Sequence, residues 1–331
     1  MKIFSPLNEE CNIEELAPYA GEFYVGVKSE EWDQYCADSG KEYNARGGSS
    51  RSNFSNWNVL ENAVKKADSY GIPCYLTVNA HNISSSGISI VERIIKRFQN
   101  LGGAGIICSG LDGMEYGRSI GMKVMASTIL GLYNVDSVRY ILKHYHPDRI
   151  ILSRDTSYGT IKQIRSEFPD LELESFGAFF GCKFSNGFCF CTHSHPTGGM
   201  CNTMGISDWR FERGKTPFTM AQQFEVEKNH WLYSDYLLAG ACGICGFYRL
   251  NQLGIDSLKV VGRELGGQKL LQADKELFYY VKLAEQAASE EEYFSYVKSE
   301  NICTTHLRCS MGYQCYYPEI SNKNLWEMNK S

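Results

Sequence analysis

Residues 171–201 read LELESFGAFFGCKFSNGFCFCTHSHPTGGMC, and this stretch changes character halfway along. Its first half, up to Phe180, is apolar and rich in residues that favour β-strands, and no proline interrupts it. Its second half is a loop rich in glycine and serine that carries Cys182, Cys189, Cys191, Cys201, His193 and His195. Thiolates gathered in a loop are costly unless a cation binds them, so the stretch predicts a buried strand that runs into a metal site.

Seven other short apolar segments have the same strand-like composition. The eight strand candidates lie at residues 2–6, 22–27, 73–79, 104–108, 123–127, 149–153, 171–179 and 257–261. Between them, apolar residues recur at the three- and four-residue spacing that is typical of amphipathic helices. This alternation predicts an α/β protein with a TIM-like (β/α)8 barrel, in which the carboxyl ends of the strands face the active site. A doubly wound open sheet is the alternative, but no GxGxxG pattern follows a strand.

The helical stretches have recognisable ends. The first has apolar residues from Val59 to Ala67, with Ser55 as the expected N-cap and Gly71 as the expected end. Three further stretches follow, at residues 90–101, 138–145 and 161–168. The last two of these stop before a proline, which disfavours a helical conformation in the residue ahead of it.

The alternation of strands and helices defines the domain organisation. We expect a barrel over residues 1–265, including the cysteine loop 182–201 and an insertion at 202–239 that lies over the barrel mouth. Residues 266–331 form a C-terminal part, helical at 269–298, whose tail carries Cys303, Cys309 and Cys315. The last ten residues are polar, and we expect them to be frayed.

Charge and cysteine content restrict the function classes. A net charge of -5 among 331 residues argues against nucleic-acid affinity driven by overall charge, although a local basic groove is compatible with it. The chain starts without the apolar region of a signal peptide and has no apolar run long enough to span a bilayer, so we expect a cytoplasmic protein. Disulfides do not persist in that compartment, and thirteen cysteines therefore favour metal or cluster binding.

Six short motifs occur in an order that resembles one protein family. They are EFYVGV at 22–27, YNARGGSSRSNFS at 43–55, TVN at 77–79, ILSRD at 151–155, ESFGAFFGCKFSNGFC at 174–189 and GIDSLKVVGR at 254–263. This order resembles the peptidase U32 family, often called collagenase-like proteases, over residues 2–263. Some members of that family carry a [4Fe-4S] cluster on a TIM-like barrel and take part in oxygen-independent ubiquinone hydroxylation or in tRNA and rRNA hydroxylation. Two motif positions depart from the family, because Ala178 replaces its histidine and Val261 replaces its glutamate.

The resemblance implies a set of metal ligands. Cys182 and Cys189 match the family's cluster cysteines, and Cys201 and Cys242 stand where the third and fourth are expected. Cys191 and Cys245 are the alternatives for those last two positions. Zinc is the alternative to a [4Fe-4S] cluster, because four thiolates suit it equally well. The C-terminal cysteines form a possible second centre, with Cys191 or Cys245 as the fourth ligand.

A polar set at the strand ends is the candidate substrate site. Its members, placed by the same resemblance, are Arg46, Asn79, Arg154, Glu174, Lys259 and Arg263. Guanidinium groups suit carboxylates or phosphates, and the alternative for each basic residue is a salt bridge to Glu174 or Asp155. The two loop histidines are either solvated or act as ligands or acid–base groups.

These residues favour a redox enzyme over a protease. Neither a nucleophile–base pair nor an HExxH motif is recognisable in the sequence. We therefore expect an iron–sulfur enzyme of U32 type that hydroxylates or otherwise modifies a small molecule or an RNA base without oxygen. Prephenate is a proposed oxygen source in such relatives, and the basic set could hold its two carboxylates. The alternatives are a U32 peptidase and a cluster-bearing accessory subunit that works with a related U32 partner.

Overall fold

The protein forms a closed barrel of eight parallel strands, each paired with its neighbours in sequence order. The computed structural model describes residues 1–39, 42–47, 49–80, 83–178, 186–188, 242–299, 316–317 and 319–320. The strands are β1 Lys2–Pro6, β2 Glu22–Val25, β3 Cys74–Val78, β4 Gly105–Cys108, β5 Lys123–Ala126, β6 Arg149–Ile151, β7 Glu172–Phe176 and β8 Ser257–Lys259. All eight predicted strands and the TIM-like barrel are therefore confirmed, although most strands are shorter than predicted.

Helices surround the barrel in the order expected of alternating strands and helices. In the described part of the chain they are α1 Ile13–Leu16, α2 Glu30–Ser39, α3 Trp57–Asp68, α4 Ser85–Asn100, α5 Leu111–Ser119, α6 Val135–Tyr145, α7 Tyr158–Glu167, α8 Phe247–Gln252, α9 Gly267–Gln286 and α10 Glu290–Ser299. None of these helices is both long enough and apolar enough to cross a membrane. The predicted insertion at 202–239 lies outside the described residues.

Local capping sets the helix ends. Asn56 is the N-cap of α3, because its backbone is extended and its side-chain oxygen accepts a hydrogen bond of 3.1 Å from the Val59 amide. The predicted cap, Ser55, is wrong by one residue. The amide of Ser55 instead donates a hydrogen bond to the carboxylate of Glu9. Gly71 follows α3 with a φ of +69°, as expected for a residue that ends a helix.

The helical stretch predicted at residues 269–298 consists of two helices, α9 and α10. Ala287 adopts an extended backbone with ψ of 131°, which ends α9, and the Ser289 hydroxyl then accepts a hydrogen bond of 3.2 Å from the Glu292 amide at the start of α10. Helix α9 packs against β1 and so covers the barrel where its last strand meets its first. The proposed domain division at residue 265 stays a prediction.

A network of ion pairs fills the lower half of the barrel interior. Arg149, at the start of β6, is 1% exposed and donates two hydrogen bonds to the Glu22 carboxylate, at 2.5 and 2.8 Å. The same guanidinium lies 3.2 Å from a carboxylate oxygen of Glu174 and donates a bond of 2.9 Å to Glu172. Burial acts in the opposite direction, but these three carboxylates hold the pKa of Arg149 above its usual range.

An apolar cluster packs beside these ion pairs in the barrel interior. It consists of Phe4, Tyr24, Tyr75, Ile107, Met125 and Ile151, one cluster of buried side chains separate from the larger core between strands and helices. Phe4 meets both Tyr24 and Tyr75 edge to face, with ring centroids 5.3 and 5.5 Å apart. Arg149 and Lys259 lie 5.8 and 4.2 Å from the centroid of the Phe4 ring, so the aromatic cluster packs directly against the ion pairs.

The ion network generates a stability prediction. Arg149→Leu should lower the free energy of unfolding by about 3–5 kcal/mol, because it leaves buried carboxylates without their counter-charge. The control is Arg139→Leu, which removes an exposed arginine paired with Asp136 and Glu167 and should shift the urea midpoint little. Equal midpoints for the two variants in urea unfolding would contradict this role for Arg149.

A buried carboxylate in α9 predicts a pH dependence. Asp274 is fully buried, and neither of its oxygens has a hydrogen-bond partner in the described part of the chain. Burial raises its pKa from 3.8 to about 7, while the neighbouring Ser5 hydroxyl acts in the opposite direction. Because the folded-state pKa is the higher one, its contribution to stability is complete below pH 4 and is lost as the pH rises through 7.

Asp274→Asn should therefore remove the loss of stability that the wild type shows as the pH rises through 7. The variant should match the wild type near pH 4 and exceed its unfolding free energy by up to about 4 kcal/mol at pH 8, since one pKa unit corresponds to about 1.4 kcal/mol. Chemical unfolding across this pH range measures the difference. Asp170→Asn, at an exposed turn, is the control and should run parallel to the wild type. A parallel curve for Asp274→Asn as well would refute the assignment.

Candidate functional site at the barrel mouth

The carboxyl ends of the strands bring together several of the predicted site residues. Asn79 follows β3, Arg154 follows β6 and Arg263 follows β8, so all three lie at the same end of the barrel. Tyr24, on β2, links two of them electrostatically. Burial raises the pKa of Tyr24 above its usual range, and the positive charges of Arg263 and Arg154 act in the opposite direction. Both guanidinium groups are thus close enough to influence the same phenol.

Arg263 is a buried cation held by neutral groups. It is 4% exposed, bonds the Thr77 hydroxyl and donates a hydrogen bond of 3.0 Å to the Asn44 side-chain oxygen. Among the described residues, no carboxylate lies within ion-pairing distance, and the Nε of Arg263 has no partner. Burial lowers its pKa to about 10, which still leaves it charged at neutral pH. A buried, incompletely bonded guanidinium is a favourable place for an anionic ligand.

The segment after β2 is folded around two asparagines. The side-chain amide of Asn44 donates to that of Asn53 at 3.2 Å, and Asn53 in turn donates to backbone carbonyls of residues 46, 47 and 49. Asn79 accepts a bond of 3.2 Å from the Ala45 amide. Gly26 lies directly beneath, since a Cβ there would be 2.2 Å from the Asn53 oxygen. The network positions Asn44, and through it the Arg263 guanidinium.

Arg154 lies between an aromatic ring and the segment that precedes Cys189. Its guanidinium carbon is 4.2 Å from the ring centroid of Phe176, and its Nη1 donates a bond of 3.0 Å to the Asn186 side chain. Gly187 is fixed as well, because its amide donates to the Tyr133 hydroxyl at 2.7 Å. Within the described part of the chain, Arg154 has no carboxylate partner, so the alternative of a salt bridge to Glu174 or Asp155 does not describe it.

The other two basic residues are paired with acids. Lys259 lies inside the barrel, 3.1 Å from Glu174, with its ammonium over the rings of Phe4 and Tyr24. Burial lowers the pKa of Lys259, and the Glu174 charge acts in the opposite direction. Arg46 is half-exposed and lies 3.4 Å from Glu264. The salt-bridge alternative therefore applies to Lys259, and Arg46 pairs with a different acid from those proposed.

Backbone pairing brings Cys242 to the mouth. Cys242 forms an antiparallel bridge with Ala178, which lies just beyond β7. The amide of the next residue, Gly243, donates a hydrogen bond of 2.9 Å to the Gly177 carbonyl. Tyr316 donates its amide to the Cys242 carbonyl at 3.0 Å. In sequence, Cys182 follows Ala178 by four residues and Cys315 directly precedes Tyr316. The described residues that flank these cysteines therefore meet at one place.

Several predicted ligands lie outside the described residues. These are Cys182, Cys189, Cys191, Cys201, Cys303, Cys309, Cys315, His193 and His195. Their assignments stay predictions. Cys242 and Cys245 are described, and both are partly exposed.

The sequence patterns missed several residues that build the site or the ion network below it. Asn44 and Asn53 stood within a quoted motif, but nothing in their type distinguished them from turn residues. The sequence did contain a signal for Glu22 and Arg149, since each is a charged residue at the start of an otherwise apolar strand. Such a residue is rarely buried without a partner, so an ion pair could have been predicted. Tyr133 and Asn186, which hold the segment before Cys189, offered none.

The fold and these residues define a (β/α)8 barrel protein that carries Arg154, Arg263 and Cys242 at its mouth. The model of peptidase family U32 matches residues 16–324, and the chain belongs to that family. No curated protein matches the chain.

Several solved structures are similar to this chain at low identity. The U32 peptidase Mk0906 is 14% identical with a TM-score of 0.41, covering 54% of this chain and 69% of its own. N-acetylneuraminate lyase from Fusobacterium nucleatum, complexed with pyruvate, is 11% identical with a TM-score of 0.44, covering 94% and 81%. N-(5'-phosphoribosyl)anthranilate isomerase from Pyrococcus furiosus is 10% identical with a TM-score of 0.40, covering 85% and 99%. These likenesses carry no argument about chemistry.

Gly26 provides a test of the asparagine network. Gly26→Ala should lower the unfolding free energy by about 1–3 kcal/mol, because its Cβ must displace Asn53 from a packed site. The control is Gly159→Ala in α7, where the nearest atom is 3.8 Å from the new Cβ and the change should be neutral or stabilising. Thermal unfolding of both variants decides the matter. A Gly26→Ala protein as stable as the wild type would show that the segment adapts freely.

Proposed function

We propose that this chain is an iron–sulfur enzyme of U32 type that modifies a small molecule or an RNA base by oxygen-independent hydroxylation or a related reaction. The observation that carries the proposal is the bridge between Ala178 and Cys242 at the barrel mouth. It puts a thiol from a distant part of the sequence next to the strand that runs into the cysteine loop. The family itself is compatible with both this reaction and peptide hydrolysis.

The donor set suits an iron–sulfur cluster. Cys182, Cys189, Cys201 and Cys242 would hold it, with Cys191 and Cys245 as alternatives for the last two, because a cubane cluster needs four thiolates. When bound, the cluster would supply electron transfer, or a Lewis-acidic iron, at the mouth. Zinc is the alternative occupant of the same thiolates.

The two arginines at the mouth support an organic acid as the substrate or co-substrate. Arg263 is buried without a carboxylate partner in the described residues, and Arg154 is supported from below by Phe176. Each could donate paired hydrogen bonds to a carboxylate, and burial strengthens such charge-assisted bonds. The arginines would orient the acid at the mouth. A dicarboxylate such as prephenate matches two guanidinium groups.

Peptide hydrolysis and an accessory role are the other candidates. Hydrolysis needs a nucleophile with an oriented base. Of the histidines, the structure describes His144 and His146, which lie at the C-terminal end of α6, at the opposite end of the barrel from the mouth. An accessory subunit would hold the cluster but need a related partner for activity. Anaerobic assays of the chain alone, with gelatin and with an organic acid, separate the three.

The cluster is the first test. Protein purified anaerobically should be brown and contain iron and sulfide, and Cys242→Ala should lose most of both because one of four thiolates is removed. Cys36→Ala, on α2, is the control and should retain them. A colourless wild type that carries stoichiometric zinc would overturn the iron–sulfur assignment.

Arg154 provides the second test. Arg154→Ala should weaken prephenate binding about tenfold or more, since a charge-assisted contact contributes about 1.5–3 kcal/mol and 1.4 kcal/mol is a factor of ten. The matched control is Asn186→Ala, which removes the hydrogen bond to Arg154 and keeps its charge. Calorimetric titration should show a clear loss for Arg154→Ala only, with the visible spectrum unchanged in both. Equal losses for both variants would mean that Arg154 acts by holding the segment before Cys189.

A further inference from the structure

The guanidinium of Arg263 lies in a cradle of neutral groups beside β2 and β3. Its Nη1 donates to the Thr77 hydroxyl, and its Nη2 donates a hydrogen bond of 3.0 Å to the side-chain oxygen of Asn44. Gly26 leaves room for the guanidinium, since a Cβ there would be 3.0 Å from Nη1. Neither of the two hydrogen-bond partners carries a charge.

Two buried phenols lie close to the same guanidinium. Burial lowers the pKa of Arg263, and Tyr24 and Tyr43 act in the opposite direction. Burial also raises the pKa of each phenol above its usual range, so both phenols are neutral at physiological pH. Glu264 acts on the pKa of Arg263 as well, but its carboxylate is paired with Arg46 at 3.4 Å. Among the described side chains, none therefore neutralises the guanidinium by direct pairing.

Asn53 determines which atom of Asn44 faces the guanidinium. The side-chain nitrogen of Asn53 lies 2.8, 3.2 and 2.7 Å from the backbone carbonyls of residues 46, 47 and 49, so this end of the amide must be the donor. The Asn53 oxygen accepts a hydrogen bond of 3.2 Å from the side-chain nitrogen of Asn44. The Asn44 oxygen is thereby turned towards Arg263. A carboxylate at position 44 would set two oxygens against each other, so the network favours a neutral amide there.

The network is complete without the guanidinium. The Asn44 oxygen also accepts a hydrogen bond of 2.9 Å from the Arg46 amide, and the Thr77 hydroxyl donates one of 2.9 Å to the Val25 carbonyl. Both partners would therefore keep a hydrogen bond if Arg263 were removed. The fold gains no buried ion pair from this arginine, yet it bears the cost of burying the charge. Local arrangements that cost stability in this way are expected at functional sites.

We infer that Asn44 determines the charge specificity of the acid site, because it holds Arg263 with a neutral oxygen and so leaves the guanidinium charge for a carboxylate of the ligand. The inference rests on the proposed function, since it names a residue that sets which ligands that site accepts. Aspartate has nearly the same shape as asparagine and would bind the same guanidinium, but its charge would compete with that of the ligand. Asn44 acts through Arg263 and is a positioning residue.

Calorimetric titration with succinate, a plain dicarboxylate, tests the inference. The wild type should bind succinate and show no measurable binding of its uncharged diamide. Asn44→Asp should weaken succinate binding about tenfold or more, because the added charge neutralises the guanidinium. Asn44→Ala removes the oxygen without adding a charge and should stay within about threefold of the wild type. Asn56→Asp, at the exposed N-cap of α3, makes the same chemical change away from Arg263 and should leave the affinity unchanged.

A second variant avoids the opposed oxygens that Asn44→Asp introduces. Arg263→Met fills similar space without a charge, so succinate binding should fall about tenfold or more. Without ligand, its urea midpoint should equal or exceed that of the wild type, because it strands no carboxylate and both neutral partners keep a hydrogen bond. Arg149→Leu is the contrast, since it strands three carboxylates and should have a lower midpoint.

Several outcomes would overturn the inference. Equal succinate affinity in Asn44→Asp and the wild type would show that the neutral oxygen has no effect. Equal losses in Asn44→Asp and Asn44→Ala would mean that Asn44 only holds the guanidinium in place. A urea midpoint of Arg263→Met far below that of the wild type would make Arg263 a residue of the fold.

The result with the wild type separates this inference from the proposed function. A wild type that binds neither succinate nor prephenate would overturn the inference, while the iron and sulfide content would still test the cluster. A wild type that binds succinate, loses it in Asn44→Asp and contains no iron would support the inference and refute the proposed iron–sulfur enzyme.

Discussion

The ion pairs around Arg149 are the constraint on which the rest of the barrel depends. One guanidinium on β6 contacts carboxylates on β2 and β7 and lies 3.2 Å from the Ser257 hydroxyl on β8. A charge with so little exposure is tolerable only because nearly all its donors are bonded. The network therefore crosses the interior and fixes how four strands face each other. An apolar core of equal volume would hold the strands with less directional preference.

The same network reaches upward to the candidate site. Glu174 is shared, because one of its oxygens faces Arg149 and the other faces Lys259. Lys259 in turn lies against the Tyr24 ring, and the Tyr24 hydroxyl is bonded to the carbonyl of residue 260, three positions before Arg263. Contacts thus run from the base of the barrel to the backbone three residues before Arg263. The position of Arg263 depends on buried charges as well as on its own loop.

The sequence was sufficient to predict the strands, but it did not predict which residues bond to the arginines of the site. Parallel barrel strands are buried on both faces, so each appears as a short apolar run that composition alone reveals. The predicted strands were too long, because the end of a strand depends on hydrogen bonding to the neighbouring strand. The α3 cap was misplaced because Ser55 and Asn56 are both good caps by residue type. Arg154 and Arg263 were placed at the mouth by the strand ends they follow. Their partners, Asn186, Thr77 and Asn44, were not predictable, because those contacts join residues 32, 186 and 219 positions apart.

Closure of the barrel between β1 and β8 has a consequence for synthesis. Lys2 of β1 pairs in register with Ser257 of β8, so the first strand has one unsatisfied edge until the last has left the ribosome. At about 5–20 residues per second, that interval is roughly 13–50 s. During it, an apolar strand edge is open to other chains. Pro6, at the end of β1, lacks an amide proton and shortens the exposed row of donors. The order of translation thus makes the first five-residue strand the part of this barrel most in need of protection from aggregation.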